Sequence, residues 1–322
     1  MNIGILGAGN IAGTMARTLQ KTPGVTCYAV AARDIKRAEK FAEEYHFEKA
    51  YGSYEEMVAD EKVELIYIAT PHSYHYEHAK LCIENKKPVL CEKPFTVNVK
   101  QAEELFQLAR ENEVFITEAF WSRFLPIYQK LNDLLKEGII GTVSQININF
   151  GFPISRNERM EKPELAGGAL LDLGVYPLHV AAMVLGDKVE NIISNAVLTE
   201  KGVDAKNTIV MTFQNKAVAI LTSNMEAVMD NHMVIAGEKG TILVDNLNNP
   251  NFIQVKDAQE KEIAFFEKEI QVTGYEYEVI KSVAAIKDGK YECEEISHKE
   301  TLRILKIMDA CRKEWGLKYP FE

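Results

Sequence analysis

The sequence predicts an α/β protein, with an N-terminal doubly wound Rossmann domain followed by an α+β domain on a large, mostly antiparallel, open-faced sheet. Three observations lead there. Short apolar strands alternate with helix-period segments over the first 120 residues, and a glycine-rich turn joins the first strand to the first helix. After Trp121 the pattern changes to period-two alternation. At 322 residues the chain is longer than one core ordinarily supports, so two domains are expected, 1–120 and 121–322.

Taken in order, residues 1–6 form a short apolar strand and 25–32 a second. Ile35, Ala38, Phe41, Ala42 and Tyr45 then recur at helical spacing. The run 65–70 is apolar throughout, as suits the buried centre of a parallel sheet. A helix at 73–85, a strand at 88–91, a helix at 99–112 and a strand at 114–119 complete the βα repeats. Such sheets bind ligands beyond the carboxyl ends of their strands. A helix over 125–136 opens the second half. In 143–150, Ile146, Ile148 and Phe150 share one face while Asn147 and Asn149 share the other, which predicts a sheet with two different faces. Further strands are expected at 207–213, 217–225, 232–236 and 241–244, joined by short hairpins. Residues 167–186 read as a helical insertion, and helices at 275–287 and 299–315 close the chain.

Composition narrows the function. A formal net charge of −10 disfavours a nucleic-acid or anionic-membrane partner, so an anionic ligand must meet a local positive cluster. No apolar run approaches the length of a bilayer span, and Met1 leads straight into a strand without a basic leader. Cys27, Cys82, Cys91, Cys293 and Cys311 form no CxxC pair and read as reduced thiols. These features predict a cytoplasmic protein with a small-molecule substrate.

Gly7-Ala8-Gly9-Asn10-Ile11-Ala12 stands between a strand and a helix, the context a dinucleotide fingerprint requires. Gly7 makes the tight turn, Gly9 lets the backbone approach the pyrophosphate, and Ala12 permits close helix–strand packing. Asn10 opens the helix, whose N-terminus faces the phosphates. At the tip of the second strand an acidic residue ordinarily binds the ribose hydroxyls of NAD. This chain has Ala31-Ala32-Arg33-Asp34, with Lys36 and Arg37 following. Arg33, joined by Arg37 from the next helix, suits a ribose 2′-phosphate. NADP is therefore expected; NAD remains open if Asp34 holds the ribose instead.

Cys91-Glu92-Lys93-Pro94 ends a predicted strand on the cofactor side of the sheet. Pro94 extends the backbone at Lys93 and helps aim a lysine able to orient a substrate hydroxyl and stabilise oxyanion charge. His72, His75 and His78 are spaced like metal ligands. The first lies in a loop and no carboxylate is fixed beside them, so they read as cofactor contacts or caps and no metal is expected. His179 reads as a packed core histidine.

With Gly167-Gly168-Ala169-Leu170-Leu171-Asp172-Leu173-Gly174-Val175-Tyr176, these motifs resemble the glucose–fructose oxidoreductase/inositol dehydrogenase family over essentially the whole chain. Residues 29–34, 51–56 and 118–124 are similar in particular to the branch with dimeric dihydrodiol dehydrogenase and NADP-dependent D-xylose 1-dehydrogenase. The resemblance implies that Lys93, Tyr176 and Asp172 are catalytic and that Arg33 and Arg37 contact the 2′-phosphate. It implies that Thr70, Pro71, His72 and His75 lie along the cofactor beside Glu92 and Lys93, and that Trp121, Arg123 and Tyr176 line the substrate pocket. It also implies a homodimer or higher homo-oligomer formed through the second-domain sheet. Tyrosine, with an ordinary pKa of about 10, is a poor base, and a nearby lysine cation would favour its phenolate. Asp172 shares a face with Tyr176 if the stretch is helical. The expected activity is an NADP-dependent oxidoreductase passing hydride to or from an alcohol, hemiacetal or carbonyl carbon of a sugar, polyol or vicinal diol. The alternatives are an NAD-preferring inositol or sugar dehydrogenase and a cofactor-sensing regulator without turnover.

Overall fold

A computed structural model describes all 322 residues. Its first sheet holds β1 (Asn2–Leu6), β2 (Thr26–Ala31), β3 (Lys49–Tyr51), β4 (Leu65–Ile68), β5 (Val89–Glu92) and β6 (Ile116–Ala119). All are parallel, in the order β3-β2-β1-β4-β5-β6. The chain order reverses between β1 and β4, the switch point where doubly wound sheets bind ligands.

The crossovers are α1 (Asn10–Leu19), α2 (Ile35–Tyr45), α3 (Tyr54–Val58), α4 (His75–Glu84) and α5 (Val99–Asn112). Local chemistry sets their starts. Asp34, Ser53 and Asn98 accept from the backbone N–H of Lys36, Glu56 and Gln101, capping α2, α3 and α5. The apolar face Ala102, Leu105, Phe106 and Ala109 buries α5. Every strand end that faces a helix start therefore lies along one carboxyl edge.

The second half opens on α6 (Pro126–Lys136), β7 (Val143–Gly151) and the short α7 (Glu158–Glu161). A π-helical turn, Leu170–Gly174, runs into α8 (Val175–Leu185). Then follow β8 (Val189–Leu198), β9 (Asp204–Phe213), β10 (Val218–Asn224), β11 (Met233–Gly237), β12 (Gly240–Val244), β13 (Phe252–Asp257) and β14 (Glu262–Glu267). The sheet order is β14-β13-β12-β11-β7-β10-β9-β8. Only β7 and β10 pair in parallel; the other neighbours are antiparallel. Ile146, Ile148 and Phe150 are buried on the face that α8 covers, as their alternation predicts. The opposite face carries Ile193, Val210 and Ile220 in register across β8, β9 and β10.

Two helices end the chain, α9 (Glu276–Lys287) and α10 (His298–Trp315). The fold divides into Met1–Phe124 with Gln271–Leu302, and Leu125–Ile270 with Arg303–Glu322. This differs from a single boundary at residue 120. The reason is that Val279 and Val283 of α9 join the first sheet's core beside Ile3, Ile5, Tyr67 and Leu90. One apolar stretch, Pro163–Leu185, is long enough to cross a membrane, contrary to the expectation that none approaches that length. Its hydrophobic window is 89% buried within the protein, which makes it a core segment.

Candidate active site

The glycine turn has the geometry its sequence predicts. Gly7 adopts φ 108°, and a Cβ there would lie 2.9 Å from the Ala69 carbonyl oxygen. A Cβ on Gly9 would meet nothing within 4 Å, so the loop's outer face is open. No side chain caps α1 and no acidic residue sits in its first turn, which leaves its N–H groups and dipole for an anion. Asn10 begins that helix at the surface, and Ala12 is fully buried beneath it. These residues fit a dinucleotide pyrophosphate. Arg37 departs from expectation: its Nε and Nη2 donate to the Ala8 carbonyl at 3.2 and 2.8 Å. Its reach and fork geometry clamp the glycine turn.

Beyond the tip of β2 lies a cavity of about 360 Å³, lined by Arg33, Ser53, Tyr54, Thr70, Tyr74 and His78 among others. The Arg33 guanidinium lies 5.8 Å from the Tyr74 ring centre. Tyr74 stacks on His78 at 5.8 Å, and Tyr54 meets His78 edge-on at 4.6 Å. His78 Nδ1 is 2.9 Å from Thr70 Oγ1. Burial, with the Arg33 charge second, pushes the His78 pKa down to about 4, so the ring is neutral at pH 7. Asp34 is turned to its helix cap, leaving Arg33 as the charged residue at the strand tip that lines this cavity. Ser53, Tyr54 and Tyr74 escaped the sequence reading. The capping pattern Ser53-Tyr54-Glu55-Glu56 was the available signal for the first two.

Lys93 stands on a loop fixed from several sides. Tyr67 donates its phenol to Glu92 Oε1, and Glu92 Oε2 accepts the Lys93 N–H at 3.2 Å. Glu118 accepts the Phe95 N–H at 3.1 Å and the Thr301 hydroxyl at 2.7 Å. The Lys93–Pro94 peptide is cis. His75 is another correction. It is fully buried, with Nδ1 and Nε2 each 2.9 Å from the carbonyls of Pro94 and Thr70. A neutral ring carries one N–H, so it donates to one of these carbonyls while packed between the loops after β4 and β5. Burial is the main reason its pKa falls to about 3. His72 is buried one turn before it, with ring centres 5.8 Å apart.

Trp121 and Arg123 follow β6 in the same unit. Trp121 is 5% exposed and stacks on Tyr275 at 4.3 Å. Arg123 donates Nη2 to Glu300 at 3.0 Å and Nε to the Glu295 carbonyl at 3.1 Å. These bonds brace the first turn of α10 and the segment before it.

Asp172 and Tyr176 lie in the second unit, both nearly buried. The π turn replaces the regular helix on which their shared face was argued. Arg159 Nη2 reaches both Asp172 oxygens, at 3.0 and 3.2 Å, a partner no sequence spacing indicated. The Tyr176 ring lies 5.1 Å from Phe150, and His179 is fully buried in α8. Asp204 anchors the start of this segment by accepting the Leu170 N–H at 2.8 Å and the Asn207 amide at 2.8 Å. Tyr319 donates to the Gly167 carbonyl at 2.7 Å. Burial raises the Asp204 pKa to about 7.

Residues 1–120 match the oxidoreductase family with an NAD-binding Rossmann fold, and residues 128–243 match the GFO/IDH/MocA C-terminal domain. Trans-1,2-dihydrobenzene-1,2-diol dehydrogenase of Xenopus tropicalis is 35% identical over 325 residues, 98% of each chain. The scyllo-inositol 2-dehydrogenase (NADP(+)) IolU of Bacillus subtilis is 31% identical, over 91% of this chain and 90% of its own. Among solved structures, the 3-ketoreductase KijD10 from Actinomadura kijaniata, in complex with NADP and TDP-benzene, aligns with a TM-score of 0.88. It is 25% identical over 97% of each chain.

Proposed function

We propose, because this chain belongs to the GFO/IDH/MocA oxidoreductase family, that it is an NADP-preferring dehydrogenase or reductase of sugars, polyols or other vicinal diols. The observation that carries the cofactor preference is Arg33 lining the cavity beyond β2 while Asp34 is engaged in its helix cap. A guanidinium there supplies bidentate, charge-assisted donors for a 2′-phosphate. The names of the dihydrodiol and inositol relatives support the diol class.

When bound, the nicotinamide takes or supplies the hydride. Gly7, Gly9 and the N-terminus of α1 hold the pyrophosphate. Lys93 orients the reacting hydroxyl and stabilises negative charge on its oxygen. Tyr176 carries the proton to or from that oxygen, with Asp172 held rigid by Arg159 in the preceding turn. No metal enters this scheme. The five buried, unpaired cysteines support a reducing, cytoplasmic setting. Ile193 and Val197, 62% and 51% exposed on β8, support self-association through the open sheet face.

Titrating both cofactors by fluorescence tests the reading. Arg33→Ala should weaken NADP(H) by about 1.5–3 kcal/mol and NAD(H) far less. Equal losses, or a wild-type preference for NAD(H), would sink it. A coupled absorbance screen over aldoses, inositols, dihydrodiols and dicarbonyls then identifies the substrate.

A further inference from the structure

Near Glu92, the residue before Lys93, lies a carboxyl group that the reaction scheme does not use. Glu278, on α9, is fully buried, and neither of its oxygens has a hydrogen-bond partner. An ionised carboxylate in that state would be prohibitively desolvated. Its electrostatic neighbour is Glu92, itself 6% exposed. Glu92 uses one oxygen for the Tyr67 phenol and the other for the Lys93 N–H. Two donors on Glu92 and none on Glu278 assign the negative charge to Glu92. Two carboxyl groups sharing a buried site cannot both ionise without a large penalty.

We propose that Glu278 keeps its proton at working pH, so that the pair carries one charge, and that Glu278 is thereby a positioning residue for Lys93. Its ionisation would set a second charge against Glu92 and loosen the acceptor that holds the Lys93 backbone. The titratable groups facing this pair are Tyr67 on β4, Cys91 and Cys293; Tyr67 and Cys293 feel the Glu278 charge, and Tyr67 and Cys91 that of Glu92. Burial, then Glu92, pushes Glu278 well above the usual carboxylate range. The inference rests on the proposed role of Lys93.

Infrared spectroscopy of the intact wild-type protein at pH 9, where Asp204 is ionised, should show a protonated-carboxyl stretch that disappears in Glu278→Gln. A wild-type spectrum without that band overturns the proposal and requires no variant to fold. In turnover, Glu278→Leu should lower kcat at least about tenfold with NADP(H) affinity within about twofold. Glu278→Gln, which keeps a neutral donor, should restore most of the rate. If Gln loses as much as Leu, the charge itself is needed and the proposal fails. A normal band alongside a fully active Lys93→Met would overturn the reading of Lys93 while leaving the protonation of Glu278 intact.

Discussion

Tyr176 is 5% exposed with its ring 5.1 Å from Phe150, so Tyr176→Phe preserves packing and removes only the hydroxyl. Turnover should fall by roughly 10²–10⁴ with little change in NADP(H) affinity, as expected for losing a general acid or base. Lys93→Met should also lower turnover. If both residues act in the one step proposed, the double variant should lose less than the product of the two. Near-normal steady-state rates in Tyr176→Phe would remove tyrosine from proton transfer. At this scale the sequence was legible where chemistry dictates a residue at a short spacing. Gly7, Gly9 and Lys93 are such positions, each next to a strand end. Arg37, His75 and Arg123 were harder, because a long or bidentate side chain can reach either a ligand or a backbone carbonyl, and spacing does not distinguish the two. The Arg159–Asp172 pair crosses 13 residues of irregular chain and left no periodic trace.

Two glycines in the binding elements should behave in opposite ways. Gly168 adopts φ 111°, and a Cβ there would lie 2.3 Å from Asp204 Oδ1. Gly168→Ala should therefore cost about 2–4 kcal/mol of stability and disturb the π turn that precedes Tyr176. Gly9 has φ −97° and open space around its missing Cβ. Gly9→Ala should leave the melting temperature nearly unchanged and weaken cofactor binding, since the new methyl enters the pyrophosphate's space. Thermal melts and cofactor titrations on the two variants check the pair, and a stability loss at Gly9 would show that the loop is packed rather than open. The elements themselves were legible in proportion to their burial. The helix Val99–Asn112 has a full apolar face and matches the expected range end to end. By contrast β8 and β14 went unread, because exposed strands carry polar and apolar residues on both faces and lose their alternation. In β13, buried Ile253 and Val255 do alternate with Gln254 and Lys256, but over too few residues to stand out. With three residues, β3 is too short to show a period.

For the whole molecule, the fold class followed from the switch between helical and period-two patterning, whereas the return of α9 to the first unit depends on packing that no local pattern encodes. Two buried ionisable groups, one in each unit, respond to acid in opposite senses. In the first, burial pushes His75 down to about 3 from its ordinary 6.5. Between those values the unfolded chain binds a proton that the folded one refuses. The contribution of His75 is therefore full above pH 6.5 and is lost as pH falls toward 3. In the second, burial raises Asp204 from 3.8 to about 7. Here the folded chain binds the extra proton, so the contribution is full below pH 3.8 and is lost as pH rises through 7. From pH 7 to pH 5 each effect amounts to about 2 kcal/mol, with opposite signs. In the first unit the proton held by Glu278 opposes the His75 effect over this range, so hydrogen exchange, corrected for intrinsic rates, reads the second unit. Protection should rise around β9 and the π turn from pH 7 to pH 5. Asp204→Asn should abolish the second response and leave the first. The same rise in Asp204→Asn would mean that Asp204 does not titrate as its burial dictates.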